Sequence, residues 1–212
     1  FRSVVVVGVS CWFIWKKSNL GFAKDSMKIA SWVGLAGIVL TMWTGDGSAV
    51  EVAKVQPMKL AAMEGLYDGT TGQSLVGFGI LDPSKQRTDG KDPMLMEVSI
   101  PKGLSILATH NPDAFIPGIN DLIEGRETGP DGQMAQTLSY AERIEAGKRA
   151  QEALRRYDAA SSAGDKEAME AAERDLKADF GYFGYGYLSS PDEAVPPVAL
   201  TFYAFRVMVM AG

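Results

Sequence analysis

A chain with one cysteine and one histidine is barred from most of the chemistry those residues carry. Cys11 has no second cysteine to pair with, so no disulfide framework holds the fold. His110 stands alone, which excludes a multi-histidine metal site within the chain. Positive charge is also scarce. Lys and Arg number 21 against 26 Asp and Glu, and a pI of about 5.0 argues against a nucleic-acid partner. There is no phosphate-binding loop, no internal repeat and no nucleophile–base arrangement. What remains is 46% hydrophobic with a mean hydropathy of −0.02, the averages of an ordinary soluble domain.

Those averages conceal a partition. Residues 1–44 carry Arg2, Lys16, Lys17, Lys24 and Lys28 against Asp25, net +4. Residues 45–193 carry 15 basic and 25 acidic residues, net −10. Residues 194–212 carry only Arg206. Two apolar ends thus flank an acidic middle. Phe1–Trp15 is apolar apart from Arg2 and Ser3, and it is shorter than the roughly 20 residues a membrane span needs. It lacks the basic start and cleavage site of a signal peptide, and reads as the last part of a longer helix. The second block, Met27–Thr44, has an uncharged centre with Gly34, Gly37, Trp32 and Trp43, the small and interfacial residues of a packed membrane helix. The third, Val195–Gly212, opens with Pro196 and Pro197, which suit a first helical turn, and it also reads as a partial helix.

The expected fold is an all-α integral membrane protein with a large extracytoplasmic loop domain, mostly helical with some short strands. Its expected parts are a partial transmembrane helix at 1–15, a cytoplasmic linker at 16–28 and a transmembrane helix at 29–44. The loop follows at 45–193 and a partial transmembrane helix at 194–212. Four Lys against one Asp between Lys16 and Lys28 place that linker in the cytoplasm by the positive-inside rule, so 45–193 lies outside. Within the loop, residues 45–56 read as a polar turn. Pro57 and Gly65 bound a short helix. Residues 68–103 read as weak strands and turns, and 118–124 as a short helix. Ser139–Ala160 and Lys166–Asp179 read as a helical hairpin with a solvated charged face. The run from Gly181 to Leu188, GYFGYGYL, reads as interfacial aromatics.

Five residues are candidates for chemistry. Arg206 is a charge within an apolar block, a functional candidate or a helix-pairing residue. Met208 is a soft thioether donor or simple packing. Lys59 and Glu64, at i and i+5, lie about 140° apart on a helix. They are spaced to line two walls of one cleft, or to face solvent on a surface helix. His110 reads as a surface-loop residue.

The runs GDGSAVEVAKVQPMKLAAMEGLYDG (Gly45–Gly69), PGINDLIEG (Pro117–Gly125) and VPPVALTFYAFRVMVMAG (Val195–Gly212) resemble subunit I of cytochrome bd ubiquinol oxidases. The resemblance extends over nearly the whole chain, and QPxKLAAxE with FRxMV at this separation is specific. It implies the middle of that subunit: the end of helix five, helix six, the quinol-binding loop and the start of helix seven. The activity implied is oxidation of ubiquinol or menaquinol. Electrons would pass through a low-spin haem b, a high-spin haem b and haem d to reduce oxygen to water. Lys59 and Glu64 match the quinol-site lysine and glutamate, Glu64 as the catalytic proton acceptor. Met208 matches the axial ligand of the low-spin haem b iron, and Arg206 the arginine beside that haem. A second oxidase subunit, a lipid membrane and the bacterial cytoplasmic (inner) membrane are implied with them. The family's axial histidines match nothing here, His110 included, so the segment by itself is expected to be inactive. The alternatives are a non-redox membrane protein, a transporter or sensor part with an extracytoplasmic binding domain, and a soluble helical domain whose apolar ends are core.

Overall fold

Helices dominate, and their ends follow from local chemistry. The structure, a computed structural model, describes residues 2–211. Phe1 and Gly212, the outermost residues of the first and last expected segments, lie outside them. The chain divides into two compact units, Phe1–Val50 and Glu51–Gly212.

The first unit contains α1 (Arg2–Trp15) and most of α2 (Leu20–Val55). Lys17 and Asn19, both at positive φ, make the turn between them. Most large apolar side chains of α2 face outward, Trp32, Leu35, Ile38, Leu40 and Trp43 among them. At 36 residues α2 is about 54 Å long. By length and composition it can cross a membrane, as can the segment Pro191–Ala211.

The turn expected at 45–56 is absent: α2 runs through it, and through residues 20–28 of the expected linker. Gly45 and Gly47 each weaken a helix by about 1 kcal/mol, which does not stop one flanked by good helix formers. The Thr44 and Ser48 hydroxyls bond back to the Leu40 and Thr44 carbonyls. The break comes at Gln56, because Pro57 has no N–H to continue the ladder.

In the second unit Pro57 opens α3 (Pro57–Glu64), and Gly65 closes it at φ 66. There the Gly65 N–H caps the Ala61 and Ala62 carbonyls in a left-handed conformation that glycine adopts without a Cβ penalty. Three two-stranded antiparallel sheets follow in outline. β1 (Thr70–Thr71) pairs with β4 (Phe115–Ile116), β2 (Leu75–Leu81) with β3 (Met94–Ile100), and β5 (Arg126–Thr128) with β6 (Met134–Gln136). Short helices α4 (Gly103–Thr109) and α5 (Ile119–Ile123) connect them, the latter within the expected 118–124. The Asp121 carboxylate ties this region together, accepting from Gly69 N, Gly118 N and Arg126 Nε at 2.6, 2.9 and 2.7 Å.

The expected hairpin is α6 (Tyr140–Ala163) and α7 (Lys166–Asp179). A reciprocal Ser139–Glu142 capping box starts α6, and the Asp165 carboxylate caps α7. The aromatic-glycine run forms a 3-10 segment, Phe180–Tyr187, that packs along α6. Gly147 and Gly186 permit this contact. A Cβ on Gly147 would lie 2.3 Å from Gly186 N. The last helix, α8 (Val198–Ala211), follows Pro196 and Pro197, and the Pro197 carbonyl accepts from Thr201 N. The main core joins Met58, Ala61, Leu66, Leu104, Ile119, Leu122 and Tyr140. A smaller cluster joins Val76 and Leu81 of β2 to Phe202 of α8.

Candidate active site

Helix α3 has two unlike faces. Its short apolar sequence buries Met58, Ala61 and Ala62 in the core, and Glu64, in the last turn, is buried with them. Lys59 is exposed.

The Glu64 face meets α8. Phe202 and Arg206 are one helical turn apart, so both side chains point the same way. Phe202 is fully buried and Arg206 nearly so. The Arg206 guanidinium bonds Glu64 Oε2 at 2.9 Å and the Val76 carbonyl at 2.8 Å, and it also donates to the Met63 carbonyl. Its Cζ sits 3.8 Å from the centre of the Phe202 ring, close enough for a cation–π contact. Arg206 Nε is buried without a hydrogen-bond partner among the described residues. Burial raises the Glu64 pKa above its ordinary value, and the attraction of Arg206 offsets this only in part. Such a pair adds little net stability, but loss of one partner strands a buried charge at a cost of about 3–5 kcal/mol.

Met208 lies two residues beyond Arg206, about 200° around the helix. It is 63% exposed, on an outward apolar surface with Val207, Val209 and Met210. An exposed thioether on an apolar surface is a soft donor that could hold a haem iron. Among the described residues no group of three His, Cys, Asp or Glu side chains is placed to hold a metal ion. His110 caps the C-terminus of α4 at φ 57, exposed and on a different element from Met208.

The Lys59 face opens on a cavity of about 390 Å³. Lys54, Glu127, Tyr140, Arg143 and Tyr185 also line it. Tyr140 and Tyr185 meet edge to face, with ring centroids 5.4 Å apart. The Arg143 guanidinium lies 5.3 Å from the Tyr140 ring and bonds Glu127 Oε1 at 2.5 Å, Thr137 Oγ1 at 2.9 Å and the Leu138 carbonyl at 2.8 Å. Burial first, and then the neighbouring Tyr185 phenol, hold the Tyr140 pKa well above its ordinary value.

The structure therefore brings Glu64 and Arg206 together and places Lys59 and Met208 elsewhere. Lys59 and Glu64 do not share this cavity, as their angular separation on α3 allows. Tyr140, Arg143 and Tyr185 were not singled out in the sequence as site residues, Tyr185 only as part of the aromatic run. The available signal was the i, i+4, i+7 series Tyr140, Ile144, Gly147, a buried stripe on a helix taken to be mainly solvated.

A family model described as "Cytochrome bd terminal oxidase subunit I" matches residues 1–212. The chain is 32% identical over 230 residues to cytochrome bd-II ubiquinol oxidase subunit 1 of Escherichia coli (strain K12), covering 99% of this chain and 39% of that protein. It is 30% identical over 118 residues to cytochrome bd ubiquinol oxidase subunit 1 of Bacillus subtilis (strain 168), covering 55% of this chain and 24% of the relative. Among solved structures, the bd oxidase of Geobacillus thermodenitrificans aligns with a TM-score of 0.47 at 18% identity, over 99% of this chain and 52% of that one. The chain thus spans two fifths or less of the length of these two curated relatives.

Proposed function

The chain belongs to the cytochrome bd terminal oxidase subunit I family, and from that premise we propose that it is part of the quinol-oxidising, haem-carrying subunit of a bd-type oxidase. The whole enzyme passes electrons from ubiquinol or menaquinol through haem b to reduce oxygen to water. Family membership leaves the reading as a transporter or sensor part without support.

Residues 1–15, 29–44 and 194–212 sit in the bacterial cytoplasmic (inner) membrane, residues 16–28 in the cytoplasm, and 45–193 outside. The outward apolar side chains of α2 and the lysines of residues 16–28 support this placement. A second oxidase subunit and the rest of subunit I complete the enzyme. The rest of subunit I includes the axial histidines and the sites of the high-spin haem b and haem d.

The observation that carries the reading is the buried Glu64–Arg206 pair. It joins the helix matching the quinol-site motif to the helix bearing Met208. Quinol oxidation releases two protons with two electrons. Glu64 is the acceptor for one of these protons, and burial raises its affinity for it. Lys59 holds a quinol oxygen by a charged hydrogen bond. Met208 is the residue of this chain that would hold a low-spin haem b iron, through its thioether, and that group would supply one-electron acceptor chemistry. Arg206 places a positive charge near it, which favours its electron-rich state.

The test uses the full-length subunit assembled with its partner. Met208→Leu should abolish the low-spin haem b band in reduced-minus-oxidised spectra, and an unchanged band removes Met208 as the ligand. Glu64→Gln keeps a hydrogen-bonding side chain at the same position. It should slow quinol oxidation at least tenfold with the haem bands intact, and unaltered turnover removes Glu64 from the proton path.

A further inference from the structure

The β2–β3 hairpin is apolar on both faces. Its inner face packs on α8, through Val76, Leu81 and Met94 against Phe202. The Leu81 N–H donates to the Tyr203 hydroxyl at 3.0 Å, and the Arg206 guanidinium donates to the Val76 carbonyl at 2.8 Å. Gly79 permits this approach, since a Cβ there would lie 2.9 Å from Met94 Sδ and 3.3 Å from Phe202 Cζ. The outer face carries two cross-strand pairs, Phe78 opposite Val98 and Ile80 opposite Met96. These four apolar side chains are between 40% and 66% exposed. The polar residues Glu97 and Ser99 alternate with them along β3 and bond each other, Ser99 Oγ to Glu97 Oε1 at 3.1 Å. The outer face therefore holds no charge. An antiparallel hairpin that faces water is ordinarily polar on its wet side, so this face is built for other surroundings.

The position of the hairpin selects them. β2 meets α8 at Phe202, about 6 Å along the helix from Val198. The hairpin tip is polar, with three acidic and three basic residues from Asp82 to Pro93. Arg87 at the tip pairs with Asp192 at 3.0 Å, and its carbonyl accepts from Asn120 Nδ2 at 3.0 Å. Asp192 lies in the 3-10 turn, Pro191–Ala194, that precedes α8. The tip is thus held beside a polar turn. The strands are held beside the first turns of α8, in a segment long and apolar enough to cross a membrane. Interfacial elements sink an apolar face about 5–10 Å into the head-group boundary, which is the depth of this contact. Water still reaches the free edge of a strand there, as it does not in the hydrocarbon interior.

We propose that the outer face of this hairpin, Phe78, Ile80, Met96 and Val98, rests on lipid at the head-group boundary beside α8. The inference rests on the reading of α8 as a membrane helix. Acyl chains ask for no hydrogen-bond partner, and these four side chains offer none. The contact is hydrophobic and not electrostatic, because the charges of the tip balance. It holds β2 at a fixed depth, and with β2 the Val76 carbonyl that Arg206 bonds.

The experiment places nitroxide labels on single introduced cysteines, in a Cys11→Ser background, in the assembled full-length enzyme. The oxidised enzyme is held in vesicles of phosphatidylcholine alone, which suffices for a hydrophobic contact. Collision rates are measured with oxygen, which concentrates among acyl chains, and with a water-soluble nickel chelate. Haem difference spectra report assembly. Labels at Ile80→Cys and Val98→Cys should show an oxygen-to-nickel ratio about fivefold above that at Ser162→Cys, an exposed position on α6. A ratio equal to that at Ser162→Cys overturns the proposal. Slow collision with both probes also overturns it, and shows that protein covers the face. Met96→Cys takes the place of Val98→Cys if the latter fails to assemble. A label at Val207→Cys that reports water overturns the membrane placement of α8 itself, a result distinct from a wet hairpin beside a lipid-facing α8.

Discussion

The two faces of helix α3 place two charged residues, five positions apart, in opposite environments. Glu64 is buried, ion-paired and packed beside the fully buried Phe202, whereas Lys59 is exposed at the mouth of a cavity rich in donors. The first arrangement is locked, because the Arg206 guanidinium is committed to Glu64, Met63 and Val76 at once. The second is open to a ligand. A helix of eight residues can serve both because its ends are fixed independently, by Pro57 and by the left-handed Gly65. The dry face is fixed by an ion pair and packing, and the wet face is accessible; the proposed function assigns proton uptake to the first and recognition to the second.

The largest expected effect breaks the dry face. Arg206→Ala leaves the Glu64 carboxylate buried without its partner and should lower stability by about 3–5 kcal/mol. Thermal unfolding of the assembled subunit in detergent would report it. Removing both charges together, Glu64→Gln with Arg206→Met, should cost clearly less than Arg206→Ala. A double variant as unstable as the single one would show that the packing of α8, and not the stranded charge, dominates.

The next effect acts on the wet face through the backbone. Gly147→Ala places a methyl group against Gly186 N and the Tyr182 carbonyl, at 2.3 and 2.5 Å. Neither is a flexible side-chain tip, so the 3-10 segment must move off α6. Overpacking of this kind costs about 1–3 kcal/mol. Tyr185 lies on that segment and Tyr140 on α6, so the cavity wall they share should shift with it. Thermal unfolding would report the loss, and a variant as stable as the parent would show that the segment moves without cost.

The faces also differ in their response to pH. Glu64 has a raised pKa, so the folded chain holds its proton more tightly than the unfolded chain does. Its contribution to stability is therefore full below the ordinary value of 4.5 and declines as pH rises through the folded value. Glu142, in the α6 capping box, behaves in the reverse way. Hydrogen bonds from Ser139 lower its pKa, so its contribution is present above the ordinary value and lost as pH falls. Tm measured against pH should flatten on the rising side for Glu64→Gln and on the acid side for Glu142→Gln. Identical profiles for the two variants would contradict this contrast.

Features coded by neighbouring residues were legible in the sequence. Pro57 and Gly65 marked α3, because such signals act within one turn, and the composition of Ser139–Ala160 and Lys166–Asp179 marked α6 and α7. The helical continuation through Gly45 and Gly47 was not legible. A glycine signals a break only by a modest energy, and here the surrounding turns outweigh it. Glu64 and Arg206 were each singled out, but their contact joins residues 142 apart and has no local signature. The cavity was hidden for the same reason. Tyr140 looked like part of a solvated helix, and the GYFGYGYL run like an interfacial stretch, until the Gly147–Gly186 approach put them side by side.

The smallest stability effect belongs to Lys59, and there the two faces separate most cleanly. Its side chain is exposed, so Lys59→Ala should change stability by no more than about 0.5 kcal/mol. The same substitution removes a charged hydrogen-bond donor from the cavity and should raise KM for quinol about tenfold with the haem bands intact. Lys59→Arg keeps the charge but changes its reach and hydrogen-bond geometry, so it should recover part of the affinity and not all of it. Lys59→Ala and Glu64→Gln then form a pair of opposite kind. On the proposed function the first should act mainly on KM, because Lys59 is assigned to binding the quinol. The second should act mainly on kcat, because Glu64 is assigned to taking up a proton. If both variants shift the same parameter, the faces do not divide binding from proton transfer, and α3 acts as a single contact surface.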